Sequence, residues 1–173
     1  QNYQKKSYVT QLYKVYNELQ QAAQRYIMDN NASNLREAGL TEKGALTEFF
    51  KTYFKVINDC GTHQRPCFAS NYKKLSGYVI GDVSVMPTNV TIISGVSIAA
   101  DVADANAGGN SRIASFIVDI NGKKGPNIAG RDLFILGLYN NGIIDEFGLA
   151  ASPLPQGGTE QGRENLFKNL CMA

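Results

Sequence analysis

The sequence predicts an α+β fold in which a long N-terminal amphipathic helix packs on an antiparallel β-sheet, with a second short helix between them in the chain. Three observations carry that expectation. Two stretches of helical periodicity come first and β-rich segments follow, without the strand–helix alternation that a parallel sheet requires. The β-rich segments are separated by tight-turn residues, at Pro87-Thr88-Asn89, Gly108-Gly109-Asn110, Asn121-Gly122 and Asn140-Asn141-Gly142. Finally, the first 30 residues contain neither Pro nor Gly. A chain of 173 residues suits one domain that buries its own core.

Residues 1–30 are expected to form one helix, because Tyr8, Leu12, Val15, Leu19, Ala22 and Tyr26 recur at alternating steps of four and three with polar residues between them. Nothing in its chemistry stops that helix from extending backwards past Gln1. Residues 29–45, rich in Asn, Asp and Gly, read as a loop. A second helix is expected over 45–59, where Leu46, Phe49, Phe50, Tyr53, Phe54 and Ile57 share one helical face and read as core. After Pro66 the period changes. Strands are expected at about 78–85, 90–99, 113–120 and 133–139, within a sheet spanning 76–147, because those runs are β-branched and bounded by turns. Residues 148–173, with Pro153, Pro155 and Gly157-Gly158, read as a C-terminal loop closed by a short helix.

Charge and composition narrow the functions. Seventeen Lys and Arg stand against 15 Asp and Glu, a net charge of +2 without clustering, so no specific nucleic-acid partner is expected. Apolar runs such as Leu133-Phe134-Ile135-Leu136 are strand-sized and far short of the roughly 20 residues that cross a bilayer. The single His63 leaves no base for a Ser or Cys triad elsewhere, and Gly122-Lys123-Lys124-Gly125-Pro126 lacks the ending of a phosphate loop. The paired acids Asp101 and Asp104, or Asp145 and Glu146, read as turn formers and caps rather than an acid/base pair. No catalytic set is expected.

Cys60 and Cys67 bracket a short loop, and a disulfide between them is the leading reading, which implies an oxidising compartment. A zinc set of Cys60, His63, Cys67 and Cys171 is the rival, although its spacing matches no common finger, and the pairing of Cys171 is left open. The densest motif runs from Phe116 to Phe134 and contains Asp119, Asn121, Gly122, Gly125, Pro126 and Asp132. Its Asp and Asn side chains are expected to hold a long loop through Asx turns. Asp119, Asn121 and Asp132 are also weak calcium candidates, because they offer hard oxygens, but Lys123 stands where a third ligand belongs and no Glu follows at the twelfth position.

The seam of Tyr8, Leu12, Val15 and Leu19, the run from Phe49 to Val56 leading into Cys60, and above all the motif from Asp119 to Phe134 resemble the soluble part of a type IV pilin-like protein, a pilin or type II secretion pseudopilin. The resemblance implies a pilin-like fold and a non-enzymatic role as structural subunit of a helical filament, homo-oligomeric or mixed, assembled by inner-membrane machinery. It implies an extracellular or periplasmic location, with the membrane reached only through an N-terminal segment not in this sequence. The family's Gly/Phe-Thr-Leu-x-Glu start and membrane half-helix are absent, so the chain is expected to be a truncation and the methylated terminus and assembly Glu fall on no residue here. Tyr3, Tyr8, Leu12 and Val15 are the residues expected to pack in the filament, since the start of the helix has least globular domain to cover it. The alternative is an exported module that binds a surface, glycan or DNA through its loops, with Lys73, Lys74, Lys123, Lys124 and Arg131 as a weak basic face.

Overall fold

A computed structural model describes residues 2–83 and 86–147. Helix α1 spans Asn2–Asp29 and α2 spans Lys43–Tyr53. Eight strands follow: β1 (Val56–Gly61), β2 (Tyr72–Lys73), β3 (Val79–Gly81), β4 (Thr88–Ile92), β5 (Ser97–Val102), β6 (Arg112–Asp119), β7 (Leu133–Tyr139) and β8 (Ile144–Glu146). Six of them form one antiparallel sheet in the order β1-β4-β5-β6-β7-β8, while β2 and β3 pair in a separate small sheet. The expected C-terminal loop and helix over 148–173, with Cys171, lie outside the described residues.

The architecture is broadly α+β, with the long helix, the second short helix and an antiparallel sheet, but it is not clearly pilin-like, and that part of the expectation is corrected. Two helices share one face of the sheet. The centre of that face is filled by α2, whose Leu46, Phe49 and Phe50 are fully buried. Phe50 packs edge-on against Phe116 of β6 with centroids 5.8 Å apart, and Phe49 does the same with Tyr26 of α1 at 5.9 Å. The long helix is displaced toward the β8 edge, where the Tyr16 hydroxyl donates to the Ile144 carbonyl, Ile144 N–H donates to Gln20 Oε1 and the Gln24 amide donates to the Asn141 carbonyl. Only the second half of α1 sinks into the core, through Val15, Leu19, Ala22, Ala23 and Ile27.

The opposite face of the sheet is covered as well. Cys67, Phe68 and Tyr72 pack with Ala129 against Ala99, Ile117 and Leu133. Burial on both faces explains why β4 and β6 read as continuous buried runs rather than alternating ones.

Element boundaries differ from the sequence reading: the sheet begins at Val56 and not at 76, and Thr88 and Asn89, expected in a turn, open β4. The second helix stops at Tyr53 and not at 59, because Phe54 turns extended (φ −128, ψ 151) and residues from Val56 pair with β4. The single strand expected over 90–99 is a hairpin, with a turn at Ser94-Gly95 closed by Ile92 N–H donating to the Val96 carbonyl at 2.9 Å. Within 78–85, residues Val79–Gly81 pair with β2 instead of joining the main sheet.

Candidate functional site

The register fixes which loops share an end of the sheet. The β4–β5 turn lies at one end, beside the Asp119 end of β6 and the Leu133 end of β7, since Ser97 pairs with Asp119 and Asp119 with Leu133. The β5–β6 loop and the β7–β8 turn lie at the other, since Val102 pairs with Ala114 and Leu138 with Ile144. The second half of α1 approaches that other end through Gln24, so its first half points back towards the β4–β5 turn.

That first half is the expected packing surface, and its four residues divide. Tyr3 is 86% exposed, Tyr8 and Leu12 are half-buried against the core, and Val15 is 2% exposed within it. Val15 is therefore a core residue and is not part of an exposed packing surface. Two residues off the seam, Val9 and Tyr13, one helical turn apart, are 45% and 64% exposed. The signal that marks them is an apolar residue on what should be the polar face.

The loop between Asp119 and Asp132 is held by the two carboxylates that end it. Both are fully buried. Asp119 Oδ2 accepts from the Tyr72 hydroxyl at 2.6 Å and Oδ1 from Asn121 N–H at 3.1 Å. Asp132 Oδ2 accepts from Asn127 N–H at 2.7 Å and Oδ1 from Ile128 N–H at 2.6 Å. Gly122 sits at φ +65, and a Cβ there would lie 2.8 Å from the Gly95 carbonyl, so the loop presses on the β4–β5 turn where only glycine fits.

Burial drives the Asp119 carboxyl up from 3.8 to about 7, and the neighbouring Asp132 charge adds to the rise against the opposing bonds from Tyr72 and Asn121. Burial, and then the bond to Asp119, push the Tyr72 phenol upward too, so it stays a donor. All four carboxylate oxygens of the calcium candidates Asp119 and Asp132 thus accept protein hydrogen bonds, and Asn121 donates its side-chain amide to the Gly125 carbonyl at 3.0 Å. Among the described residues no group of three His, Cys, Asp or Glu side chains is placed to hold a metal ion. In this structure the three residues hold the loop, as Asx turns do.

Cys60 and Cys67 form a disulfide, which removes both sulfurs from a zinc set, and His63 is exposed. The Cys67 carbonyl accepts from Ser97 Oγ at 2.6 Å, tying the closed loop to the second face of the sheet. The sequence holds two glycosylation sequons, Asn31-Ala32-Ser33 and Asn89-Val90-Thr91; Asn89 is fully buried and donates to the Gly61 and Met86 carbonyls, so it is closed to glycosylation, whereas Asn31 is exposed.

The basic residues of the alternative reading gather. Lys73 N–H donates to the Asn127 carbonyl and the Lys73 carbonyl accepts from Ala129 N–H, which places β2 beside the loop carrying Lys123, Lys124 and Arg131. Lys74 lies 5.9 Å over the exposed Tyr78 ring. A cleft of about 370 Å³, which no sequence motif marks, lies between α1, the end of α2 and the β4–β5 turn, lined by Lys14, Glu18, Arg25, Tyr53, Lys55 and Ile93 among others. No helix among the described residues is long and apolar enough to cross a membrane. Comparison of the chain with protein-family models, curated proteins and solved structures gave no match.

Proposed function

We propose that the chain is the globular head of a structural filament subunit of the type IV pilus or pseudopilus kind, self-assembling through the first half of α1. The observation that carries this reading is the outer face of that helix half: Tyr3, Val9 and Tyr13 are turned to solvent, while Tyr8 and Leu12 pack against the core and Val15 onward is buried in it. A helix half with three large apolar side chains turned to solvent gains stability by packing against a partner. The reading rests on that helix and on the motif from Asp119 to Phe134, not on the architecture of the head. In it the subunit acts without catalysis, is handled by inner-membrane assembly machinery and ends outside the cell or in the periplasm.

The test is electron microscopy of the natural host expressing the full gene product. Filaments containing the protein are expected, and Val9→Lys with Tyr13→Lys is expected to abolish them while the head still folds. Filaments of unchanged yield in the double variant would remove the helix face from the reading. A wild-type protein that is exported and stays monomeric would remove the filament itself.

A second reading is favoured by the gathering of Lys73, Lys123, Lys124 and Arg131 beside the exposed Tyr78, a basic and aromatic surface of the kind that holds DNA or an acidic glycan. A DNA mobility shift that weakens steeply with salt supports it, and no shift at low salt excludes the DNA form.

A further inference from the structure

The cleft beside α1 carries an excess of positive charge. Lys14, Arg25 and Lys55 line it against Glu18 alone, and Glu18 is already 3.9 Å from Lys14. Arg25 lies 5.6 Å over the Tyr53 ring, whose hydroxyl donates to Asp29 just outside the lining. The cleft opens beside Ile93 and Ser94, at the β4–β5 end of the sheet.

The opposite end carries Asp101, Asp104 and Glu37 against two cations, Arg36 and Arg112. Asp101 and Asp104 sit where β5 runs out, with no Lys or Arg between Ser97 and Ser111. Asp104 and Glu37 are exposed, and the turn bearing Glu37 is brought alongside by Arg36, which donates to the Asn106 carbonyl at 3.5 Å. Arg112 lies over the Phe147 ring at 4.3 Å. The two surfaces are separated by the length of β4, five residues or roughly 17 Å. Positive and negative surfaces at opposite ends of one chain cannot neutralise each other within that chain, and two copies stacked end to end bring them together.

We propose that the cleft is a socket for a second copy of this chain, which seats its Asp101–Asp104 turn against Lys55 and Arg25. The contact is heterologous: the surface used to bind differs from the surface bound, so it repeats into an open array rather than closing on a dimer. It rests on the filament reading, supplying a contact between heads in addition to the one through α1.

The experiment mixes ¹⁴N- and ¹⁵N-labelled full chain at high concentration and low salt, joins touching amines and carboxylates with a zero-length carbodiimide, and reads mixed-isotope peptides by mass spectrometry. Lys55 or Lys14 joined to Asp101, Asp104 or Glu37 is expected, with yield lost in about 1 M salt, where charges are screened beyond about 3 Å. Lys55→Glu and Asp104→Lys, both exposed substitutions checked by thermal melting, should each lower association by about tenfold or more, and mixing the two variants should restore it. Mixed-isotope links spread over other lysines, an absence of any such link, or single variants that associate like wild type would overturn the socket. Host filaments without these links leave the filament reading standing and the socket refuted. These links without host filaments do the reverse.

Discussion

Replacing Asp119 with Asn isolates the polar centre that holds the 119–132 loop. In the folded chain the carboxyl is fully buried and titrates at about 7, against an ordinary value of 3.8. Between those two values the native state holds a proton that the unfolded chain has released. Stability therefore falls as pH rises from about 4 to about 7, and the contribution from the neutral acid is lost above it. The interval of about three pH units, at about 1.4 kcal/mol each, sets a ceiling of about 4 kcal/mol on the change. Denaturant unfolding at pH 5, 6, 7 and 8 reads it directly: the wild-type midpoint is expected to drop with rising pH at constant m-value. The amide introduced by Asp119→Asn carries no charge and can still accept from Tyr72, so the variant's profile is expected to be flat across the same window and to overtake wild type near pH 8. Tyr72→Phe acts in the other sense. Loss of the hydroxyl withdraws a bond that favours the ionised form, so the carboxyl rises further and the variant loses most at pH 8, by about 1–3 kcal/mol. A wild-type stability that is level or climbs between pH 5 and pH 8, or an Asp119→Asn variant with the wild-type slope, would refute the assignment.

Reduction of Cys60–Cys67, or Cys67→Ser, should lower stability by about 2.5 kcal/mol for a closed loop of this size, read as a drop in melting temperature with and without reductant. Phe50→Ala, at a fully buried position against Phe116, is expected to cost about 3–5 kcal/mol in denaturant unfolding, whereas Tyr13→Ala on the exposed helix face should stay within about 0.5 kcal/mol for the isolated chain. Gly142→Ala forces a Cβ to within 2.6 Å of Gln24 Nε2 at φ +82, so it should cost about 1–3 kcal/mol and speed hydrogen exchange in the part of α1 that docks on β8.

The local periods of the sequence located the parts of the fold that short-range chemistry decides. Leu19 and Ala22 on the α1 seam and Phe49 and Phe50 on α2 are core because their spacing already puts them on one face. The period misled where tertiary pairing overrode it. Phe54 and Ile57 continue the helical spacing of α2, yet β4 offers an edge to pair with and the chain leaves the helix to take it. The hairpin hidden in 90–99 did carry a signal, the Ser94-Gly95 pair, masked by β-branched residues on both sides. Tyr72 carried none: its partner Asp119 is 47 residues away, so the buried pair is a property of the folded chain only. Reading Asp119 as a calcium candidate followed from its oxygens, and what a sequence cannot supply is that each oxygen accepts a hydrogen bond, one from a phenol and one from a backbone N–H.

The end of the sheet toward which the first half of α1 points has firmly tied loops. A segment the length of 120–132, without strands of its own, would ordinarily fluctuate. Here two buried carboxylates take four hydrogen bonds at its base, Gly122 presses on the β4–β5 turn, and Ser97 fixes the disulfide loop behind it. Ordering loops at the moment of association opposes binding by about 0.5–1.5 kcal/mol for each side chain immobilised. A surface ordered in advance escapes that penalty, and weak contacts repeated between copies depend on escaping it. If copies of the chain associate as proposed, the buried polar network has a use beyond the stability of one copy: it keeps the cleft-bearing end in one shape for the contact.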